Sequence, residues 1–260
     1  MEKLSVVIIS LNEEKNIGRC IDSVLGVADE ILLLDSFSTD QTVSIAESKG
    51  AIVKREVFQG YMQQINRAAQ LASHNYVLSL DADEALDPGL VESVLQAKEN
   101  FTFRAYRMNR FSNYCGKFIR HGSWYPDTKI RLFDRRVAHW GGVNPHYKIV
   151  LNEKFPVKHL RGNILHYSYY TISEHTAQNN KFSTLAAESL FEKGKRTSLF
   201  NIVARPFWAF FTSYIIRAGF LDGLFGFVIA VQISHLTFLK HLKLYLLSKS
   251  INSRYICKNV

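Results

Sequence analysis

Apolar residues fall along this chain in short runs separated by helical spacings. Leu4–Ser10 reads LSVVIIS, continuous rather than alternating, which predicts a strand buried on both faces. After Asn12, the residues Ile17, Cys20, Ile21, Val24 and Leu25 recur every three or four positions, the stripe of a helix running toward Val27. Residues 31–35 (ILLLD) predict a second buried strand. The next helix carries Val43, Ile45 and Ala46 and stops at Gly50, a suitable left-handed cap. A third strand over 51–57, a third helix over 61–72 and a fourth strand over Tyr76–Asp81 continue the series. Strands alternating with helices of this length are βαβ units, so the fold class expected is α/β with a mainly parallel sheet flanked by helices.

The pattern loosens after residue 100. Residues 103–108 and 129–133 read as strands, and between them 120–127 (RHGSWYPD) is rich in groups able to hold a sugar. Residues 140–147 (WGGVNPHY) read as a glycine-hinged loop, and 163–166 as a short strand ending in His166. A helix is expected over 171–193. From 200 to 220, Val203, Phe207, Phe210, Phe211, Tyr214 and Ala218 keep helical spacing, with Pro206 as a start or a kink. Residues 223–239 carry no charge but include Gln232, Ser234 and His235, and fall short of the ~20 apolar residues of a spanning helix.

Charge divides the chain. Residues 1–192 hold 22 Lys and Arg against 22 Asp and Glu, whereas 193–260 hold ten basic residues and one acid, Asp222, so the last quarter carries the whole net charge of +9. Basic and apolar together point to an anionic membrane surface rather than to nucleic acid. The expected domains are therefore 1–192, catalytic, and 193–260, a helical membrane-associating region. Cys20, Cys115 and Cys257 have no metal-ligand spacing and read as idle thiols of a reducing compartment. Met1-Glu-Lys leads straight into a strand, so the amino-terminal part is expected in the cytoplasm.

The candidate chemistry lies at strand ends. In open parallel sheets ligands bind beyond the carboxyl ends of the strands. Three such ends here are polar: Asn12-Glu13, Asp35 to Asp40, and Asp81-Ala-Asp83-Glu84. Carboxylates crowded at the end of a buried strand repel one another, and Mg²⁺ or Mn²⁺ relieves that while substrate phosphates and water complete its shell. No Gly-x-Gly-x-x-Gly and no P-loop lysine follows any strand, which argues against a dinucleotide or Walker-type site. Asn12 and Asp40 serve equally well as helix caps, and Gln63, Asn66 and Arg67 as a solvated helix face.

The runs VVIISLNE (6–13), LDSFSTDQT (34–42) and LDADE (80–84), in this order and spacing, resemble family 2 glycosyltransferases of the GT-A fold. GSWYPD (122–127), RLF (131–133) and RAGFLDG (217–223) are similar to the subgroup holding lipopolysaccharide core β-glucosyltransferases. The resemblance implies an inverting transfer from a nucleotide-diphosphate sugar, a UDP-sugar by preference, to a hydroxyl of a lipid-linked or lipopolysaccharide acceptor, by a protein peripheral or monotopic at the cytoplasmic face of the bacterial inner membrane. It implies a donor pocket of Asn12, Glu13, Asp35, Ser38, Asp40 and Asp81. It also implies a Mg²⁺ or Mn²⁺ ion on Asp83, with His166 as a further ligand. Many relatives place a glutamate after the histidine of the 143–147 loop, where this chain has Tyr147. Asp127 is then the first choice for the general base and His146 the second. Two other readings stand beside this one. A nucleotidyltransferase usually carries a glycine-rich basic loop after its first strand, which Ser10-Leu-Asn-Glu-Glu lacks. A non-catalytic nucleotide-sugar-binding membrane partner would be consistent with Tyr147.

Overall fold

The computed structural model describes residues 2–143 and 146–249, without the side chains of Val143 and His146. In chain order the elements of the first half are β1 (Leu4–Ser10), α1 (Ile17–Val24), β2 (Glu30–Asp35), α2 (Thr42–Ser48), β3 (Ile52–Arg55), α3 (Tyr61–Leu71), β4 (Tyr76–Asp81), β5 (Glu84–Leu86) and α4 (Pro88–Glu99). There follow β6 (Ala105–Tyr114), β7 (Lys117–Phe118), β8 (Asp127–Asp134), β9 (Ala138–Val143), β10 (His146–Leu151) and β11 (Val157–Tyr169). The chain then becomes helical, with α5 (Ile172–Glu192), α6 (Leu199–Phe211) and α7 (Leu224–Ser248).

Nine strands form one sheet in the order β3-β2-β1-β4-β8-β6-β11-β5, with β7 on β6. The βαβ half is parallel: β2 pairs with β3 and β1, and β1 with β4. Strand β8 runs antiparallel to both β4 and β6. Strand β1 shows why its run is continuous. Leu4, Val6 and Ile8 enter a core with α1 and α4, while Val7 enters the opposite core with Ile65 and Ala68 of α3. Both faces are covered, so both sets of positions must be apolar. Each such fully buried side chain contributes roughly 1.5–3 kcal/mol.

The chain divides into two compact units. One comprises Met1–Phe111 with Asp127–Tyr167, and the other Ser112–Pro126 with Ser168–Val260. In the second, Thr171 caps α5 with a reciprocal capping box to Glu174, as Thr-x-x-Glu permits. Helix α7 packs on α5 through polar groups: Asn179 Nδ2 donates to Gln232 Oε1 at 3.0 Å, and Lys243 Nζ donates to Ser183 and Thr184 hydroxyls at 2.8 Å each.

Several local expectations are corrected. The 140–147 segment is a hairpin rather than a loop, β9 pairing antiparallel with β10; Asn144 and Pro145 lie outside the described residues. Helix α1 starts at Ile17 and not at Asn12, which takes a left-handed conformation with φ 56°. Leu25 is exposed rather than part of the α1 stripe. The helix expected over 200–220 ends at Phe211. A wide π-helical turn over Thr212–Ile216 follows, and Ala218 is left-handed with φ 54°. Pro206 lies inside α6. The short strand around 163–166 is part of β11, 13 residues long. Leu199–Ile216 and Leu224–Ser248 are long and apolar enough to cross a membrane by length and composition.

Candidate active site

Parallel pairing brings the three polar strand ends to one edge. Ser10 lies opposite Asp35, and Ile9 opposite Asp81, so β1, β2 and β4 finish level. The loops after β1 and β2 are laced together there. Asp35 is fully buried and accepts from the Ser10 hydroxyl at 2.9 Å, the Ser38 amide at 2.8 Å and the Ser38 hydroxyl. Ser38 Oγ accepts in turn from the Asn12 amide at 2.8 Å, and Asn12 Oδ1 accepts from the Thr39 amide at 2.9 Å. Asp40 accepts from the amides of Thr42 at 2.9 Å and Glu14 at 3.1 Å. Its burial is slight, and these bonds outweigh it and hold the carboxyl below its ordinary value. Asn12, Asp35, Ser38 and Asp40 therefore fix the shape of this edge; the N-cap of α2 is Gln41, and Asp40 instead ties the Glu14 and Thr42 amides together.

Glu13 hangs beside the acidic strand end. Burial pushes its carboxyl up, and the fields of Asp83, Asp40 and Asp81 add to that against a 2.7 Å hydrogen bond from Asn16. The acids after β4 are sorted by partner. Arg131, buried in β8, donates from Nη2 to Asp81 at 3.0 Å and to Glu84 at 2.8 Å. Burial pushes Asp81 up, but Arg131 and a hydrogen bond from the Tyr61 hydroxyl outweigh it, so Asp81 titrates low. In Glu84 burial wins over the same arginine, and its carboxyl is raised.

Asp83 stands apart from that arrangement. Its Oδ2 lies 3.2 Å from Nε2 of His166, and both side chains are partly open, 27% and 17% exposed. The contact follows from register: β11 runs antiparallel to β5 with His166 opposite Glu84, and the Tyr167 amide donates to the Asp83 carbonyl at 2.9 Å. A carboxylate oxygen and an imidazole nitrogen open on one side suit Mg²⁺ or Mn²⁺, which commonly take only one or two protein donors and leave the rest to phosphate and water. Among the described residues no group of three or more such ligands occurs, so the fit is to a cation completed by its substrate.

Asp127 is not a free carboxylate. It pairs with Arg110 at 2.9 Å and Lys129 at 2.9 Å, and these charges, overcoming burial, hold it below the usual range. A depressed carboxyl is a poor proton acceptor near neutral pH. The side chain of His146 lies outside the described residues. Tyr147 stacks on Tyr61 with ring centroids 5.5 Å apart. Asn66 turns out to be structural, exchanging bonds of 2.8 and 2.9 Å with the backbone of Trp140, and Arg67 makes a surface ion pair with Glu56. Arg131, Arg110 and Tyr61 are the residues that sequence reasoning did not place here. The available signal was a guanidinium at 131 inside an apolar strand, since a charge there must be paired.

Residues 5–156, more than half of the chain, match the model of glycosyl transferase family 2. The chain belongs to glycosyltransferase family 2. Over 98% of its length this glycosyltransferase is 31% identical to an uncharacterized glycosyltransferase of Rickettsia felis, of which it covers 94%. It is 29% identical to the lipopolysaccharide core biosynthesis glycosyltransferase LpsC of Rhizobium meliloti, across 93% of this chain and 92% of that one. Among solved structures, the mannosyltransferase PcManGT of Pyrobaculum calidifontis, in complex with GDP-Man and Mn²⁺, matches with a TM-score of 0.56 at 12% identity, covering 96% of this glycosyltransferase and 88% of PcManGT. That likeness concerns the fold, which is of the GT-A kind.

Proposed function

We propose that this glycosyltransferase moves a sugar from a nucleoside-diphosphate donor to a hydroxyl of a lipopolysaccharide or other lipid-linked envelope glycan, with inversion, at the cytoplasmic face of the inner membrane. The observation that carries the donor half is the Asp83–His166 pair at the carboxyl edge of the parallel sheet. Similarity to LpsC supports the acceptor class, and the basic, apolar stretch from 193 onward supports residence at a membrane.

In this reading Asp83 and His166 hold Mg²⁺ or Mn²⁺, which when bound offsets the charge growing on the leaving diphosphate. Glu13 and the laced loops of Asn12, Asp35, Ser38 and Asp40 shape the nucleoside side of the pocket. Arg131 ties down Asp81 and Glu84, which leaves Asp83, the most exposed of the three at 27% against 20% and 0%, for the cation. The acceptor loses its proton as its oxygen attacks the anomeric carbon. The ion pairs of Asp127 argue for a role in anchoring Arg110 and leave His146 as the base to test. Asp127→Asn with kcat retained and His146→Gln with kcat reduced ~10²-fold or more would assign it so.

The test of the donor half is a thermal-shift panel of nucleotide sugars with and without Mn²⁺. A donor at 100 times its Kd stabilises by about 2.7 kcal/mol, roughly 5–11 °C for a chain of this size. The expected result is one nucleotide series whose shift requires Mn²⁺ or Mg²⁺ and disappears in Asp83→Asn. No shift with any nucleotide sugar, with either metal, would overturn the reading.

A further inference from the structure

Helices α6 and α7 and the turn joining them carry apolar side chains that none of the described residues covers. On α6, Phe207 is 78% and Trp208 63% exposed; at the turn and the start of α7, Leu221 is 60% and Leu224 72% exposed. Val203 and Phe200 extend the stripe one and two turns toward the start of α6. Such a face demands a partner.

The surrounding charges select which one. Lys193, Lys195 and Arg196, in the segment leading into α6, Arg205 on α6 and Arg217 in the turn after it are all exposed. The sole acid of residues 193–260, Asp222, is buried and already used: it accepts from the amides of Arg120 and His121 and lies 3.3 Å from His121 Nδ1. Its carbonyl accepts from Lys117 Nζ at 2.7 Å, and the Gly122 amide donates to the Arg217 carbonyl at 2.9 Å. The turn is thereby fastened to a loop that adds Lys117 and Arg120 to the same end of the hairpin. A second copy of this chain would set cations against cations across the apolar stripe. An anionic bilayer supplies both an apolar interior and the opposite charge.

The packing also decides orientation. Helix α7 is tied to α5 near its middle and again toward its carboxyl end, Gln232 Nε2 donating to Thr176 at 2.9 Å and Lys243 Nζ to the Asn180 side chain at 2.8 Å. Helix α5 exposes Glu174, Lys181, Glu188 and Glu192. Were α7 to cross a bilayer, those charges would be drawn into hydrocarbon with it.

We propose that the α6–turn–α7 hairpin lies flat in the headgroup region of an anionic leaflet, with Phe207, Trp208, Leu221 and Leu224 inserted, and that neither helix spans the membrane. This deepens the membrane placement proposed above. It needs neither donor nor acceptor, so sugar transfer and in-plane docking can fail separately.

The test is co-sedimentation of the full chain with vesicles of phosphatidylglycerol and phosphatidylcholine, against phosphatidylcholine alone. Binding to the anionic vesicles is expected to be at least about 10-fold stronger and to weaken with salt, since each surface cation adds to the attraction. The double variant Phe207→Asp/Trp208→Asp is expected to lose at least ~10-fold of that binding with its Tm in solution unchanged, because both side chains are exposed. Trp208 fluorescence, taken as the difference from Trp208→Phe, is expected to be quenched more by lipids brominated near the headgroup than by lipids brominated near the chain end. Stronger quenching from the chain end would overturn the in-plane placement. Equal binding to neutral vesicles would overturn the electrostatic selection. A stable dimer in solution that binds no vesicle would give the stripe to a second copy.

Discussion

Replacing Arg131 by Met removes the charge that holds two acids while keeping most of the side-chain volume. Glu84 is fully buried and Arg131 nearly so, with Nη2 2.8 Å from Glu84 and 3.0 Å from Asp81. Glu84 then keeps Arg110, 3.7 Å away, but loses its hydrogen-bonded counter-charge; breaking such a buried pair costs up to about 3–5 kcal/mol, which is roughly 6–20 °C in Tm for a chain of this size. The cost has a signature in pH. Burial already raises Glu84, and without Arg131 it rises further. A carboxyl whose folded pKa lies above its unfolded value contributes stability below the unfolded pKa of about 4.5 and loses it as pH rises through the folded one. The loss in Arg131→Met is therefore expected to be small near pH 5 and full at pH 8. Adding Glu84→Gln is expected to restore a large part of it, because the uncompensated charge is gone. Thermal melts of the four proteins of this cycle at both pH values are the assay. A loss below about 1 kcal/mol at pH 8, a loss independent of pH, or no rescue by Glu84→Gln would refute the reasoning.

Other substitutions test other parts of the fold. His175 is buried against Tyr114 and Tyr169, and desolvation pushes it down to about 4. The unfolded chain binds the proton more readily below pH 6.5, so stability is lost as pH falls from 6.5 toward 4, by up to ~3 kcal/mol. Melts of His175→Gln across that range are expected to show the flatter profile. Gly162 sits at φ +92°, where an added Cβ would lie 2.2 Å from the Leu90 amide nitrogen. Gly162→Ala is expected to cost on the order of 3 kcal/mol or more in a denaturant melt, from strain and clash together. Asp222→Asn keeps shape and removes the charge that accepts two backbone amides. It is expected to lower Tm by an amount matching about 1.5–3 kcal/mol, whereas an unchanged Tm would deny that this acid fastens the loop.

The βαβ half was legible in the sequence because each element there has one dominant signal. Continuous apolar strands are covered on both faces, and helical stripes such as Ile17, Cys20, Ile21 and Val24 face one core. The rest depends on pairing between distant strands. Residues 140–147 carry two glycines and a proline, which look like punctuation, yet β9 and β10 pair across them. Strand β5 is three residues long, too short for any period to show, whereas α4 does carry a local signal, Asp87 and Pro88 being a recognisable start to a helix. Pro206 stands inside α6 because tertiary packing overrides its local preference.

The candidate site was legible in its residue types and illegible in their division of labour. By composition and spacing alone, Asp35, Asp40, Asp81 and Asp83 are equivalent acids near strand ends, and it is the family resemblance that sets Asp83 apart for the metal. The structure separates them by what each touches. Asp35 and Asp40 spend their oxygens on amides and hydroxyls of the laced loops. Asp81 shares Arg131 with Glu84, and Asp83 is left beside His166. That sorting has a physical order. An outward carboxylate is useful to a cation only if its neighbours do not also demand one, since carboxylates 3–5 Å apart raise each other's proton affinity. Arg131, by satisfying the two inner acids, leaves Asp83 as the acid on that strand end with charge to offer. In the proposed reading, a position outside every acidic motif thus decides which acid is offered to a cation, and strand register, β8 lying against β4, brings that position to the site.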